Sequence, residues 1–285
     1  PVMPQLARIE TSFISINELF REKTSGIVTM GDSFIIAYSK EELAYRINLF
    51  LQSEISESQL QKEYSLGKNY AKWIISNKEK IKIQDELFKK IAYRPFDEKW
   101  TYFDNKLIWR PRTKIMQNLL NNDNVCVISA RGTKNPIPDH FFMSNKITET
   151  KLGESSTQSY SFPLYIYSKL EQINIDSNNR QANLNPAFVK QLLMNVDEDK
   201  VEPLDVLDYV YAVLYSPKYR MVYKEFLKED FPRVSSPKNK EQFWKLVELG
   251  GKLRKLHLME DPSLDTVSTT FDVAGDGIVE CVKYA

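Results

Sequence analysis

The stretch Ile91-Ala-Tyr-Arg-Pro-Phe-Asp-Glu-Lys-Trp-Thr-Tyr-Phe-Asp-Asn-Lys-Leu-Ile-Trp109 decides how this chain is read. Tyr93, Phe96, Trp100, Tyr102, Phe103 and Trp109 are separated by polar residues, and Asp104-Asn105 has turn composition, which favours a strand hairpin over a helix. Pro111 to Leu120 then suits a short helix with proline in its first turn, ended by Asn121-Asn-Asp-Asn124. Val125-Cys-Val-Ile-Ser-Ala130 is a continuous apolar run of strand length. Arg131-Gly-Thr-Lys-Asn-Pro-Ile-Pro138 is a loop by composition, and Ser161-Phe-Pro-Leu-Tyr-Ile-Tyr167 supplies another strand.

Upstream, Gly26-Ile-Val-Thr29 and Ser33-Phe-Ile-Ile-Ala37 alternate with the turn residues Ser25, Gly31 and Asp32, the pattern of two short strands. Ser39 followed by Glu42 has the form of a capping box, and Leu43, Ile47 and Phe50 continue at helical spacing, so a helix is expected over 40–53. Residues 56–90 read as two or three further helices. After a polar excursion over 168–181, Asn185-Pro186 opens a helix through Met194, and helices follow over 203–215, 217–228 and 240–258. The tail around Gly275-Asp-Gly277 reads as a hairpin. The fold class expected is α+β: small mixed sheets with an aromatic hairpin core, flanked by N-terminal helices and a C-terminal helical bundle. Three parts are expected, at 1–90, 91–200 and 201–285.

Composition excludes several classes of function. In 285 residues, 42% are hydrophobic and 12% aromatic, enough for a large core, and 39 basic against 38 acidic residues leave a net charge of +1, unlike a polycationic nucleic-acid binder. Cys126 and Cys281 are too far apart for a Cys-x-x-Cys motif, which fits a reducing cytoplasm, and with only His140 and His257 besides no zinc site is expected. No apolar run spans a membrane and no signal peptide is visible.

Short motifs carry little. Gly26-Ile-Val-Thr-Met-Gly31-Asp32-Ser33 has P-loop glycine spacing, but an acid stands where the phosphate-reaching lysine belongs. Asp97-Glu98-Lys99 and Glu198-Asp199-Lys200 match nuclease fragments that arise by chance in a chain with 27% charged residues. Asn135-Pro136-Ile137-Pro138 lacks the adjacent second proline and the aromatic of a base-holding methyltransferase loop. No glycine-rich turn fits S-adenosylmethionine or a dinucleotide, and no nucleophile accompanies either histidine.

One local feature stands out. From Lys89 to Lys114, eight basic residues face three acidic ones, a net of +5, while Val196 to Asp208 has six acids and one lysine, a net of −5. Arg131 and Lys134 add charge to a nearby loop. Arginine suits bidentate recognition of phosphate or guanine, so nucleic-acid contact is one reading and an ordinary solvated face the other. The aromatics are read first as packing for a small sheet.

Several longer stretches, in order, resemble the C-terminal specificity region of Type ISP restriction-modification enzymes. They are Tyr93-Arg-Pro-Phe-Asp-Glu-Lys-Trp-Thr-Tyr-Phe-Asp, Trp109-Arg-Pro-Arg with Met116, Phe162-Pro-Leu-Tyr-Ile-Tyr, Asp208-Tyr-Val-Tyr-Ala-Val-Leu-Tyr-Ser-Pro-Lys-Tyr-Arg and Tyr223-Lys-Glu-Phe-Leu-Lys-Glu-Asp-Phe-Pro-Arg-Val. Ser25-Gly-Ile-Val-Thr-Met-Gly-Asp-Ser-Phe upstream and Leu249-Gly-Gly-Lys-Leu-Arg-Lys-Leu-His-Leu-Met-Glu downstream extend the likeness over most of the chain. The resemblance implies a cytoplasmic DNA target-recognition region, without catalytic or cofactor sites of its own, inside a longer enzyme. On that reading Pro1 lies just after a methyltransferase fold and both ends are boundaries within the parent. S-adenosylmethionine, ATP and Mg belong to that parent, and the expected partners are double-stranded DNA and the upstream methyltransferase and helicase domains. Expected DNA contacts are Arg110, Arg112, Lys114, Arg131, Thr133 and Lys134; Arg94 and Asp97, paired with each other, and Trp100 are expected to fix the hairpin. A catalytic adenine methyltransferase fragment and a docking scaffold without DNA affinity are the alternatives.

Overall fold

The computed structural model describes residues 13–120, 123–167, 180–266 and 274–275. Its strands are β1 (Phe13–Ser15), β2 (Thr24–Ser25), β3 (Ile36–Ala37), β4 (Phe88–Arg94), β5 (Asp97–Tyr102), β6 (Cys126–Ala130), β7 (Phe142–Ser144), β8 (Ile147–Thr148), β9 (Ser159–Pro163), β10 (Tyr165–Tyr167), β11 (Arg180–Ala182) and β12 (Arg233–Ser235). The α-helices are α1 (Ile16–Leu19), α2 (Asp32–Ile35), α3 (Lys40–Gln52), α4 (Glu57–Tyr64), α5 (Lys68–Asn77), α6 (Thr113–Met116), α7 (Pro186–Val196), α8 (Pro203–Tyr215), α9 (Pro217–Val222), α10 (Lys224–Glu229) and α11 (Lys240–His257). Two four-stranded sheets run β2-β9-β6-β7 and β3-β5-β4-β8, and β1-β12 and β10-β11 form separate pairs. The architecture is α+β, as expected.

The apolar run at Val125 has a structural reason. Every residue of β6 is buried, and alternation along the strand sends Cys126 and Ile128 into one core and Val127 into another. A strand covered on both faces loses the polar half of its pattern. The first core joins the β3-β5-β4-β8 sheet to α2 through α5, through Phe34, Ile47, Tyr70, Ile91 and Tyr102. The second gathers Phe20, Phe141, Phe162, Tyr209, Val210 and Phe243 around α8.

α8 is buried continuously from Val206 to Ala212 and packs along α11. Gly250 makes this approach possible, because a Cβ there would lie 1.9 Å from the Asp208 carbonyl oxygen. Asp208 then accepts two hydrogen bonds from Arg254, at 2.7 and 3.1 Å. The acidic stretch before α8 is thus partly structural: Glu198 accepts from Trp244 at 3.0 Å and pairs with Lys240.

Several expectations change in detail. The aromatic hairpin is present, but its strands are β4 and β5, and its turn is Arg94-Pro95-Phe96-Asp97. Asp104-Asn105 also turns the chain, leading away from β5 without closing a hairpin. Ser33–Ala37 is not one strand: the amides of Phe34 and Ile35 both donate to the Gly31 carbonyl. This helical turn buries Phe34 and Ile35, and the extended strand starts only at Ile36. Ser39 caps α3 by accepting from the Glu42 amide at 3.1 Å, but the Glu42 carboxylate accepts from the Tyr38 amide instead, so half the capping box forms. The helix expected over 217–228 breaks at Tyr223, and the strand expected over 161–167 is divided between β9 and β10 at Leu164. The tail hairpin, Cys281 and most of the 168–181 excursion lie outside the described residues. Among the described residues no helix is long and apolar enough to cross a membrane.

Candidate nucleic-acid interface

Arg110 and the Arg131–Lys134 loop lie at the same end of one sheet, whereas Lys114, paired with Glu22 ahead of β2, lies toward the other end. In the β2-β9-β6-β7 sheet, Ala130 lies opposite Ser159, and Arg131 is the next residue out. On the other side of β9 the Gly26 amide donates to the Ser159 carbonyl at 3.0 Å. Beyond Gly26 the chain leaves the sheet at that same end, and Val28 and Arg110 exchange backbone hydrogen bonds of 3.1 and 3.0 Å. Gly26 is required at the crossing, since a Cβ would meet the Glu149 carbonyl carbon at 2.4 Å.

The 131–138 loop is held firmly. A Cβ on Gly132 would lie 2.4 Å from the Lys228 carbonyl oxygen at the end of α10, and the Thr133 amide donates to that oxygen at 3.0 Å. Thr157 donates its hydroxyl to the Gly132 carbonyl at 2.7 Å, and Ser156 accepts from the Lys134 amide at 3.1 Å. Thr133 itself is buried; its hydroxyl oxygen accepts from the Asn135 amide at 2.9 Å. Glu154 takes hydrogen bonds from the Asn135 amide group and from Ser156. Burial pushes the Glu154 carboxyl up, but hydrogen bonds from Ser156 and Thr133 outweigh it and hold the group below the usual range.

The exposed cations differ in their company. Arg131 Nε lies 3.2 Å from Asp230 with its side chain 71% exposed, and Lys114 lies 3.0 Å from Glu22. Both are surface pairs that hold their partners weakly. Among the described residues neither Arg110 nor Lys134, both exposed, has an ion-pair partner. Arg112 sits ahead of α6 with φ 54°, and its buried Nε has no hydrogen-bond partner.

The net +5 from Lys89 to Lys114 is not a continuous basic face. Lys90 pairs with Glu98, Lys99 with Asp97 and Lys106 with Asp104. Neighbours distant in sequence take further charges, as Glu22 does for Lys114. Arg94 and Asp97 face each other across the hairpin backbone, but the expected pairing between their side chains is replaced. Arg94 Nη1 lies 2.6 Å from Glu149 and Asp97 pairs with Lys99. Glu149 reaches the guanidinium because β8, which it follows, runs beside β4. Trp100 packs, half-buried, against the first core. Tyr93 also packs there and donates its hydroxyl to Asp32 at 2.6 Å, while Trp109 meets Trp73 edge-on at 5.2 Å.

The segment 149–158, not singled out from the sequence, completes this end of the sheet. Ile27 forms a backbone bridge with Glu149, and Lys151 Nζ donates to the Thr157 carbonyl at 2.6 Å. The run Ser155-Ser-Thr157 beside Lys151 is the one signal that could have found it. The Gly26–Gly31 loop does not fit a phosphate. Asp32 closes the Gly26–Gly31 loop, taking hydrogen bonds from Thr29 and Tyr93, so a carboxylate faces the place a phosphate would need. Among the described residues no three His, Cys, Asp or Glu side chains gather as a metal site.

Comparison with known proteins adds the remaining facts. The family model for the Type ISP C-terminal specificity domain matches residues 18–285. Solved structures with the same fold include a DrdV–DNA complex seen by electron cryomicroscopy, with TM-score 0.67 and 21% identity over 84% of this chain and 23% of that one. The ATP-dependent Type ISP restriction-modification enzyme LlaBIII bound to DNA gives TM-score 0.63 and 21% identity over 84% of this chain and 16% of its own. A nuclease-deletion mutant of the Type ISP enzyme LlaGI with a DNA substrate mimic gives 0.60 and 23%, over 85% and 19%. The chain thus spans less than a quarter of the length of each. A search of curated proteins by sequence returned no match.

Proposed function

Because this chain belongs to the Type ISP C-terminal specificity domain family, we propose that it recognises a specific sequence in duplex DNA and positions the target adenine for a methyltransferase carried elsewhere in a longer polypeptide. The observation that carries the reading is the convergence of Arg110 and the Arg131–Lys134 loop on one end of the β2-β9-β6-β7 sheet. Arginine and lysine neutralise phosphates and set register, while a few side chains read base edges.

The residues take different parts. Arg110 and Lys134, exposed and without ion-pair partners among the described residues, are phosphate or base contacts. Arg131 and Lys114 reach DNA by exchanging Asp230 and Glu22 for it, an exchange that weak surface pairs permit. Thr133 and Arg112 act mainly through the backbone shapes they hold. S-adenosylmethionine, ATP and Mg, with the methyltransferase, helicase and nuclease parts that use them, are assigned to other segments of the parent, and a cytoplasmic location goes with that assignment.

The test is selection of bound duplexes from a pool with a randomised core, repeated at two salt concentrations. One enriched motif is expected. Arg131→Ala relaxes one position of that motif if Arg131 reads a base. Lys134→Ala lowers affinity for all duplexes alike and reduces the slope of log K against log salt by about 1. Equal recovery of all sequences by the unmodified chain overturns the reading.

A further inference from the structure

Arg94 belongs to the hairpin turn and is half engaged. Its Nη1 donates to the Glu149 carboxylate at 2.6 Å and to the Tyr93 carbonyl at 2.5 Å, and its guanidinium lies over the Tyr93 ring at 4.0 Å from the centroid. Glu149 is fixed in turn: its side chain is 5% exposed, and it accepts from the Lys151 amide at 2.6 Å. The opposite edge is open. Among the described residues Nε has no hydrogen-bond partner, and Nη2 has only Asp32, at 4.0 Å. The Arg94 side chain is 37% exposed.

The position of this open edge is also fixed. Glu149 bridges Ile27, and the next residue, Val28, is hydrogen-bonded to Arg110. Arg94 therefore stands beside the same sheet end as Arg110. A guanidinium stacked on a ring and tied by one corner has already lost most of its rotamer freedom, so a second pair of hydrogen bonds costs little further entropy.

Resting on the DNA reading above, we propose that Arg94 is a further DNA-contacting residue whose Nε–Nη2 edge binds a pair of acceptors in one plane. The acceptors are two oxygens of one phosphate or O6 and N7 of one guanine, the same chemistry in two places. Asp32 and Glu149 offset the arginine charge, so the contact depends on directed hydrogen bonds more than on ionic attraction. Glu149 is the positioning residue.

Interference footprinting on duplexes recovered from the randomised pool tests this. Phosphate ethylation reports oxygen contacts and guanine N7 methylation reports base contacts. The variant is Arg94→Lys, which keeps the charge beside Glu149 and the ring contact but loses the fork. It is expected to bind the recovered duplex about tenfold more weakly, with one interference signal lost, the other signals kept and the salt slope little changed. Loss of an ethylation signal assigns the phosphate and loss of an N7 signal the guanine. Independently of any variant, phenylglyoxal labelling of Arg94 in the unmodified chain, read by mass spectrometry, is expected to slow at least tenfold when the duplex binds. An unchanged footprint with unchanged labelling overturns the Arg94 contact alone. Absence of any enriched duplex or footprint for the unmodified chain overturns the DNA reading and this contact with it.

Discussion

Replacing Gly132 with alanine probes the link between packing and recognition. The new Cβ would lie 2.4 Å from the Lys228 carbonyl oxygen, where ordinary contact begins at 3.4 Å, so loop and helix end must part by about 1 Å. The obstacle is backbone, and no rotamer change relieves it. The Thr133 amide donates to the same oxygen at 3.0 Å, so separation stretches that hydrogen bond too. Overpacking costs about 1–3 kcal/mol and a weakened buried hydrogen bond about 1 kcal/mol, so a loss of about 2–4 kcal/mol is expected. That lowers Tm by roughly 3–7 °C for a chain of this size. Gly67→Ala is the control, because nothing lies within 4 Å of a Cβ there. The assay pairs urea unfolding with competition binding to the recovered duplex. Gly132→Ala should lose stability and, at temperatures where it remains folded, bind at least tenfold more weakly, since Arg131 and Lys134 move with the loop. Unchanged stability would refute the packing argument; lost stability with unchanged binding would refute the loop's part in recognition.

Other perturbations give separate expectations. Burial lowers the His140 pKa to about 4 from its ordinary value of 6.5. Its contribution is therefore complete above about pH 6.5 and is lost as pH falls toward 4, up to about 3 kcal/mol. Both ring nitrogens lack hydrogen-bond partners, so His140→Phe should leave stability at pH 7 unchanged or higher and flatten this part of the pH profile; an equally steep profile in the variant refutes the assignment. Asp208→Asn leaves the guanidinium of Arg254, 13% exposed, without its counter-charge and should cost about 3 kcal/mol in urea unfolding. Glu22→Gln at the exposed Lys114 pair should change stability by less than about 1 kcal/mol.

Much of this fold was legible where local signals agree. α8 spans the expected 203–215, with Pro203 in its first turn, and α11 ends within a residue of expectation. The hairpin turn was misplaced for a physical reason. Phe96 has φ 59° at the third position of a turn whose second residue is proline, where glycine or asparagine usually stands. Tertiary contacts hold it there, edge-on to Phe142 at 6.0 Å and to His257 at 5.4 Å, and the local sequence contains neither. For the interface, Arg131 and its loop were legible as a Gly/Pro segment after a strand. The open edge of Arg94 was not, because Glu149 and Asp32, which shape its surroundings, are 55 and 62 residues away in sequence. The local surplus of basic charge was also misleading, since acids on neighbouring strands and distant loops take up much of it.

Amide hydrogen exchange on the chain, with and without the recovered duplex, tests the central claim most directly. Protection is expected to concentrate at one end of the β2-β9-β6-β7 sheet and on the hairpin turn beside it: residues 26–32, 93–97, 110–112, 131–137 and 149–158, with the exposed face of α11 unchanged. Protection centred on α11, or none anywhere at a duplex concentration that saturates binding, would contradict the account.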